Sequence, residues 1–118
     1  MGANISNQEI ASLVELARVH KRVYTDPAIF ELEMERIWGS AWVYIGHESQ
    51  VKSPGDYFTT TLGKQPIIVT RHDDRQVHVL YNRCAHKGAQ LAIEACGHAQ
   101  QLRCAYHGYV LDLSLIHI

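Results

Sequence analysis

The chain has 118 residues, of which 47% are apolar and 8% aromatic, so it can bury one modest core, as a small domain or as a piece of a larger protein. Its formal net charge of −1 provides neither the basic excess of a nucleic-acid-binding protein nor an acidic tail. No apolar stretch approaches a membrane span, the N-terminus lacks a secretory signal, and three cysteines do not indicate a disulfide framework.

Two helices are predicted in residues 1–40. The first covers residues 6–20, because Ser6 and Glu9 fit a capping box and an apolar stripe follows it: Ile10, Leu13, Val14 and Ala17. The second begins at Asp26-Pro27, an N-cap followed by a residue suited to the first turn, and stops near Gly39. Its predicted buried stripe is Phe30, Met34, Ile37 and Ala41.

From residue 41 onward the pattern becomes that of β-strands. We predict strands in "AWVYIGH" (41–47), "DYFTTTL" (56–62), "PIIVTRH" (66–72) and "QVHVLYN" (76–82). Turns at Gly63-Lys64 and Asp73-Asp74 would join the last three into an antiparallel meander. The sequence therefore predicts a helical extension followed by a small β domain.

Two short motifs combine one cysteine with one histidine: Cys84-Ala85-His86-Lys87-Gly88 and Cys104-Ala105-Tyr106-His107-Gly108. Seventeen residues separate His86 from Cys104. Cys84 and His86 stand two residues apart, too close to share a helix face, and we expect the two motifs to form two loops converging at the end of a β-hairpin. The glycine after each histidine allows the backbone to approach a metal centre closely.

Two cysteines and two histidines allow three interpretations. A structural zinc site would use two cysteines and two histidines as well, but zinc motifs mostly pair cysteine with cysteine and histidine with histidine. Unconnected core residues would not explain two mixed pairs, each followed by glycine. A Rieske [2Fe–2S] cluster, in which two histidines replace two cysteines on one iron, has this composition.

The residue patterns of the two motifs, C-x-H-[KR]-G and C-x-Y-H-G, resemble those of Rieske oxygenases. "RVYTDPAIFELEMERIWGSAWVYIGHESQ" and the later "GDYFTTTLGKQPIIVTR" resemble the N-terminal part of the large (α) subunit of aromatic-ring-hydroxylating dioxygenases. The resemblance is closest to the branch acting on benzoate, toluate, anthranilate or salicylate-type acids, and covers residues 20–112. One departure is Tyr109, where many relatives have tryptophan.

The resemblance implies a Rieske antiparallel β-sandwich over residues 41–112, incomplete at its C-terminus, after a helical extension over residues 1–40. Cys84 and Cys104 would hold the buried iron as thiolates, and His86 and His107 would hold the outer iron. Backbone N–H groups of the Lys87-Gly88 and Gly108-Tyr109 turns would bond the cluster sulfurs. The imidazoles would face the surface, which makes the cluster a one-electron relay.

The resemblance also implies a bacterial, cytoplasmic enzyme. A reductase or ferredoxin would supply electrons, and a mononuclear Fe(II), held by two histidines and one carboxylate in an absent downstream domain, would add O2 to an aromatic, carboxylated substrate. The parent would be a homotrimer or an α3β3 assembly, with no nucleic-acid or membrane partner. A free-standing Rieske ferredoxin and a Rieske monooxygenase or demethylase are the alternatives.

The remaining candidates are weaker. Cys96 lies in the spacer and is interpreted as a small packing residue; His47, His72, His78 and His98 are interpreted as structural or exposed. Arg83, Lys87 and Arg103 flank the motifs, either to attract an acidic electron donor or as ordinary surface charge.

The C-terminal "LSLIHI" (113–118) resembles a translated sequencing adapter. We interpret it as a scar that replaces the last Rieske strands, so that His117 would not be native. The alternative is an apolar β-strand.

Overall fold

The computed structural model describes residues 4–115, which form two compact units with a boundary between Val43 and Tyr44. The first unit is helical with one very short hairpin, and the second is built from antiparallel strands. No helix in residues 4–115 is long and apolar enough to cross a membrane.

The first helix is much shorter than predicted. Helix α1 spans Asn7–Ser12, and the Ser6 side chain accepts a hydrogen bond from the Glu9 N–H (3.1 Å), as the capping signal indicates. Strands β1 (Val14–Glu15) and β2 (Arg18–Val19) then form a hairpin. The prediction of helix through residue 20 is therefore wrong, because the cross-strand pairs, including a Glu15–Arg18 ion pair, outweigh a short apolar stripe.

The second predicted helix begins where the sequence indicates. After α2 (Arg22–Thr25), helix α3 (Pro27–Glu33) is capped by Asp26, which accepts from the Ala28 N–H (2.9 Å). A π-helical turn, Met34–Trp38, continues it to Gly39.

The predicted stripe of this helix is wrong. Ile29 is the buried residue of α3, while Phe30 and Ile37 are about half exposed. A π turn holds more residues than an α turn, so apolar side chains before and after Met34 no longer share one face.

The second unit contains the predicted meander. After a 3-10 turn (Glu48–Gln50) come β3 (Asp56–Leu62), β4 (Gln65–Arg71), β5 (Val77–Tyr81) and β6 (Cys96–His98). They form an antiparallel sheet in the order β5-β4-β3-β6. Residues 41–47 form no strand, so that prediction is wrong: aromatic and β-branched residues favour a strand only where a partner strand is available.

A small hairpin completes the β layers. Strands β7 (Leu102–Arg103) and β8 (Val110–Leu111) pair with each other, and the second motif forms the loop between them. Leu102 of β7 and Ile68 of β4 share one buried cluster with Ala92 and Leu113. Hairpin and sheet therefore enclose a common core, as in a sandwich.

The segment interpreted as an adapter scar begins inside this core. Leu113 is buried, and its carbonyl accepts a hydrogen bond from the Thr70 hydroxyl (2.6 Å). Residues 116–118, including His117, lie outside the described residues. The origin of residues 113–118 stays a prediction.

Asn82 connects the end of β5 to the segment that follows the first motif. Its amide nitrogen donates to the Ala92 carbonyl (2.7 Å), and its amide oxygen accepts from the N–H groups of Leu91 (3.2 Å) and Ala92 (2.9 Å). Asn82 is 3% exposed, so these bonds satisfy backbone groups that water does not reach.

Replacing Asn82 with alanine is expected to lower the free energy of unfolding by about 2–5 kcal/mol, because two buried N–H groups lose their acceptor and the Ala92 carbonyl loses one of its two donors. Chemical denaturation monitored by circular dichroism measures this. Gln90→Ala is the matched control, since Gln90 is exposed and also donates to the Ala92 carbonyl (3.1 Å). Equal effects of the two substitutions would contradict this role of Asn82.

Asp56 and His98 face each other across the β3–β6 ladder, with 2.8 Å between Asp56 Oδ1 and His98 Nδ1. The His98 hydrogen bond and the Ser53 N–H lower the pKa of the Asp56 carboxyl. A carboxyl group whose pKa is lower in the folded than in the unfolded chain stabilises the fold at pH values above its pKa in the unfolded chain. This stabilisation is lost as the pH falls through the pKa of the folded chain.

Asp56→Asn is therefore expected to destabilise the fold at neutral pH and to have a shrinking effect as the pH falls below about 3.9, the ordinary pKa of aspartate. Unfolding midpoints between pH 7 and pH 2.5 test this. Asp73→Asn, the same change at an exposed turn residue, is the control. A difference from wild type that stays constant over this range would rule out the pH-dependent contribution.

Candidate metal centre

The two motifs fold into loops with the same hydrogen bonds. In the first loop the Cys84 N–H donates to the Ala89 carbonyl (2.7 Å) and the Gly88 N–H to the Cys84 carbonyl (2.9 Å). In the second loop the Cys104 N–H donates to the Tyr109 carbonyl (2.7 Å) and the Gly108 N–H to the Cys104 carbonyl (2.9 Å). Both loops therefore present their side chains in closely similar frames.

A left-handed glycine closes each loop. Gly88 has φ 76° and Gly108 has φ 77°, a conformation that other residues adopt only with strain. The N–H groups of Gly88 and Gly108 donate to the carbonyls of Cys84 and Cys104 within the loops. The expectation that N–H groups of the Lys87-Gly88 and Gly108-Tyr109 turns bond the cluster sulfurs stays a prediction. The glycine in each motif is required by the turn itself.

The cysteines lie at the buried end of the site. Cys84 and Cys104 are each 3% exposed and share a cluster with Leu91 and Leu111. The N–H groups of Tyr106 and His107, helped by the Cys84 thiol, donate to the Cys104 sulfur and lower the pKa of this thiol, although burial acts in the opposite direction. Such an environment favours a thiolate, the form that binds a metal.

The histidines lie at the exposed end. The rings of His86 and His107 are 4.9 Å apart between centroids, nearly edge to face, and both residues are exposed. The structure thus brings all four predicted site residues together, with sulfur donors inside and nitrogen donors outside.

Two tyrosines contact these imidazoles. The Tyr109 ring stacks on His86 from the other loop, with centroids 4.2 Å apart and planes 11° from parallel. Tyr106 lies against its neighbour His107 at 3.9 Å with a 47° tilt. The contact between the two loops was not predicted, because sequence spacing does not show it.

The donor set suits a binuclear cluster. A [2Fe–2S] centre of the Rieske type takes two protein ligands on each iron, two thiolates on one and two imidazoles on the other. Among residues 4–115, no three His, Cys, Asp or Glu side chains converge on a single ion. The separation of buried thiols from exposed imidazoles matches the two ends of such a cluster.

The other histidines have structural partners in the second unit. His98 contacts Asp56, His78 contacts Asp74 (3.1 Å), and His72 lies 4.0 Å from an Asp112 oxygen, while His47 caps the 3-10 turn. Cys96 is exposed on β6, so its interpretation as a packing residue is wrong.

Basic side chains flank both loops. The Arg83 guanidinium lies 4.5 Å above the Tyr81 ring, and Arg103 reaches beside Gly108, where an added Cβ would lie 3.4 Å from its Nη2 atom. Lys87 is exposed. Three exposed positive charges therefore lie in or next to the two motifs in the sequence.

Comparison with known proteins shows the family of this chain. Residues 41–114 match the model of the Rieske [2Fe-2S] domain. The chain is 37% identical over 111 residues to the benzene 1,2-dioxygenase subunit alpha of Pseudomonas putida, a match covering 92% of this chain and 25% of that protein. The chain thus spans about a quarter of the length of such curated relatives.

Two solved structures are similar to this chain as well. The naphthalene 1,2-dioxygenase from Rhodococcus sp. bound to indole superposes with a TM-score of 0.81 at 28% identity, covering 94% of this chain and 27% of that one. A quaternary ammonium Rieske monooxygenase superposes with a TM-score of 0.77 at 30% identity, covering 83% and 27%.

These matches decide between the sequence-based interpretations. The zinc and unconnected-core interpretations are wrong, whereas the mainly antiparallel β Rieske fold and the [2Fe–2S] cofactor are confirmed. With most of its length matched to one domain model, the chain belongs to the Rieske [2Fe–2S] domain family.

Proposed function

We propose that this chain is the electron-transfer part of an aromatic-ring-hydroxylating dioxygenase α subunit. The observation that carries the proposal is the convergence of two matched loops on a site with buried thiols and exposed imidazoles. Similarity to α subunits extends over 92% of the chain, which includes much of the helical first unit. That extent favours an oxygenase subunit over a free-standing Rieske ferredoxin.

In this proposal Cys84 and Cys104 hold the inner iron, and His86 and His107 hold the outer iron. When bound, the cluster supplies reversible one-electron transfer at a potential raised by its two neutral imidazoles. The N–H groups donated to Cys104 stabilise negative charge on sulfur. The exposed imidazole edges give electrons a short path from solvent-accessible surface to the buried thiolates.

The rest of the enzyme belongs to the proposal as well. A reductase or ferredoxin would donate the electron at the exposed face, where Arg83, Lys87 and Arg103 favour an acidic partner. The remaining length of such α subunits would hold the mononuclear Fe(II) and bind the aromatic substrate. The whole enzyme would form a trimeric α3 or α3β3 assembly. We place the enzyme in the bacterial cytoplasm and expect a carboxylated ring as its substrate.

A second candidate is a Rieske monooxygenase. The solved quaternary ammonium Rieske monooxygenase superposes nearly as well as the naphthalene dioxygenase, at similar identity. The Rieske domain carries electrons in either case, so the two candidates differ in the catalytic domain that receives them.

Removing any one of the four proposed ligands is expected to abolish the cluster. Wild-type protein expressed with iron and sulfide should be red-brown and give a rhombic EPR signal when reduced, whereas Cys84→Ala and His107→Ala should bind little or no cluster. Absorption and EPR spectra with iron and sulfide analysis measure this. The reduction potential should lie at least about 100 mV above that of four-cysteine ferredoxins, which is about −400 mV.

Matched controls are Cys96→Ala and His98→Ala, which remove the third cysteine and an exposed histidine with a structural partner. Both should keep a full cluster. A colourless wild-type protein that binds one equivalent of zinc would contradict the assigned ligands, as would loss of the cluster from Cys96→Ala.

The oxygenase assignment can be tested in a complete enzyme. Residues 41–112 of this chain, grafted in place of the matching segment of the benzene 1,2-dioxygenase α subunit, are expected to support NADH-dependent formation of the benzene cis-diol. The same graft with His86→Ala should fall to background, because it cannot hold the outer iron. Oxygen uptake and product analysis measure the reaction.

A graft that carries an intact cluster by EPR but forms no product would contradict the oxygenase assignment and favour a ferredoxin. A graft without a cluster would instead point to the ligand assignment, which the spectra of the isolated chain test separately.

A further inference from the structure

We infer that Tyr109 is a positioning residue that fixes the His86 imidazole by stacking on it from the opposite loop. The two rings are 4.2 Å apart and within 11° of parallel, closer to parallel than either of the other ring pairs at the site. The inference rests on the proposed function, because it gives His86 the role of an iron ligand.

The Tyr109 ring is itself held in place. The Tyr109 carbonyl accepts a hydrogen bond from the Cys104 N–H (2.7 Å), which closes the second loop. The Tyr109 side chain packs on the hydrophobic core residues that bury both cysteines. Tyr109 is partly buried, so the core around the thiols restricts its rotation. The orientation of His86 is thereby tied to the same core as Cys84 and Cys104.

The corresponding position of the first loop carries no ring. Ala89 accepts from Cys84 as Tyr109 accepts from Cys104, but its side chain is a methyl group. His107 contacts Tyr106 instead, which is 68% exposed and tilted by 47°. The two imidazoles are therefore held unequally, because Tyr109 of the other loop stacks on His86 whereas His107 contacts an exposed tyrosine of its own loop.

An unclamped His86 would have to lose rotational freedom on binding iron, and an imidazole in a stacked, fixed orientation loses less. Aromatic pairs of this geometry contribute enough to change an equilibrium about 2- to 10-fold. Loss of the Tyr109 ring should therefore weaken retention of the cluster and change the geometry of one histidine ligand without removing either ligand.

The test compares Tyr109→Leu with Tyr109→Phe in the full 118-residue chain loaded with its cluster. Tyr109→Leu keeps apolar bulk but removes the stacking ring, and is expected to lose visible absorbance about 2- to 10-fold faster under a chelator. Its reduction potential and the pulsed-EPR coupling of one histidine nitrogen should shift. Tyr109→Phe keeps the ring and should match wild type in all three measurements.

Tyr106→Leu is the matched control, because it removes the exposed aromatic neighbour of the other imidazole. It should leave the nitrogen coupling of His86 and the rate of cluster loss near wild-type values. Thermal unfolding of each loaded variant separates a local effect from general destabilisation.

Three outcomes would overturn the inference: Tyr109→Leu indistinguishable from wild type, Tyr109→Phe as impaired as Tyr109→Leu, or Tyr106→Leu with the same changes as Tyr109→Leu. A wild-type chain that takes up no iron–sulfur cluster would overturn the proposed function and this inference together. If the wild-type chain binds a normal cluster and Tyr109→Leu binds it equally well, the inference alone is overturned.

Discussion

The site depends on one backbone constraint, the closure of two five-residue motifs into loops by a pair of hydrogen bonds each. In both, the cysteine N–H reaches the carbonyl of the residue after glycine, and the glycine N–H returns to the cysteine carbonyl. Closure requires the left-handed glycines Gly88 and Gly108. Because both loops close in the same way, their cysteines point into one core cluster while their histidines meet outside it.

The surrounding fold holds these loops from two directions. The first loop follows β5 of the sheet, where Asn82 ties the chain on both sides of the motif through Leu91 and Ala92. The second loop is the connection of the β7–β8 hairpin, whose Leu102 packs with Ile68 of the sheet. The packing of hairpin on sheet therefore sets the distance between the motifs, although no residue of the sheet is itself a proposed ligand.

The sequence predicts an element correctly where that element depends on residues close together in the chain. The helix start at Asp26-Pro27, strand β3 and the turn at Gly63-Lys64 follow from residues near one another in the chain, and the structure confirms them. The first helix and the strand at 41–47 failed because their fate depends on pairing partners that the local pattern does not contain. The π turn at Met34–Trp38 likewise displaced a stripe that a regular helix would have buried.

The metal centre shows the same division. The motifs identified Cys84, His86, Cys104 and His107 because ligand type and spacing are written in the chain, whereas the stacking of Tyr109 on His86 arises only when the loops meet. The gradient from buried thiols to exposed imidazoles then constrains how the site can work. Backbone N–H groups of Tyr106 and His107 favour negative charge on the buried Cys104 sulfur, and under the proposed function an electron partner would approach the exposed imidazoles. Arg83, Lys87 and Arg103 lie in or next to the two motifs in the sequence and are exposed, so under the proposed function their positive charge would favour an acidic donor.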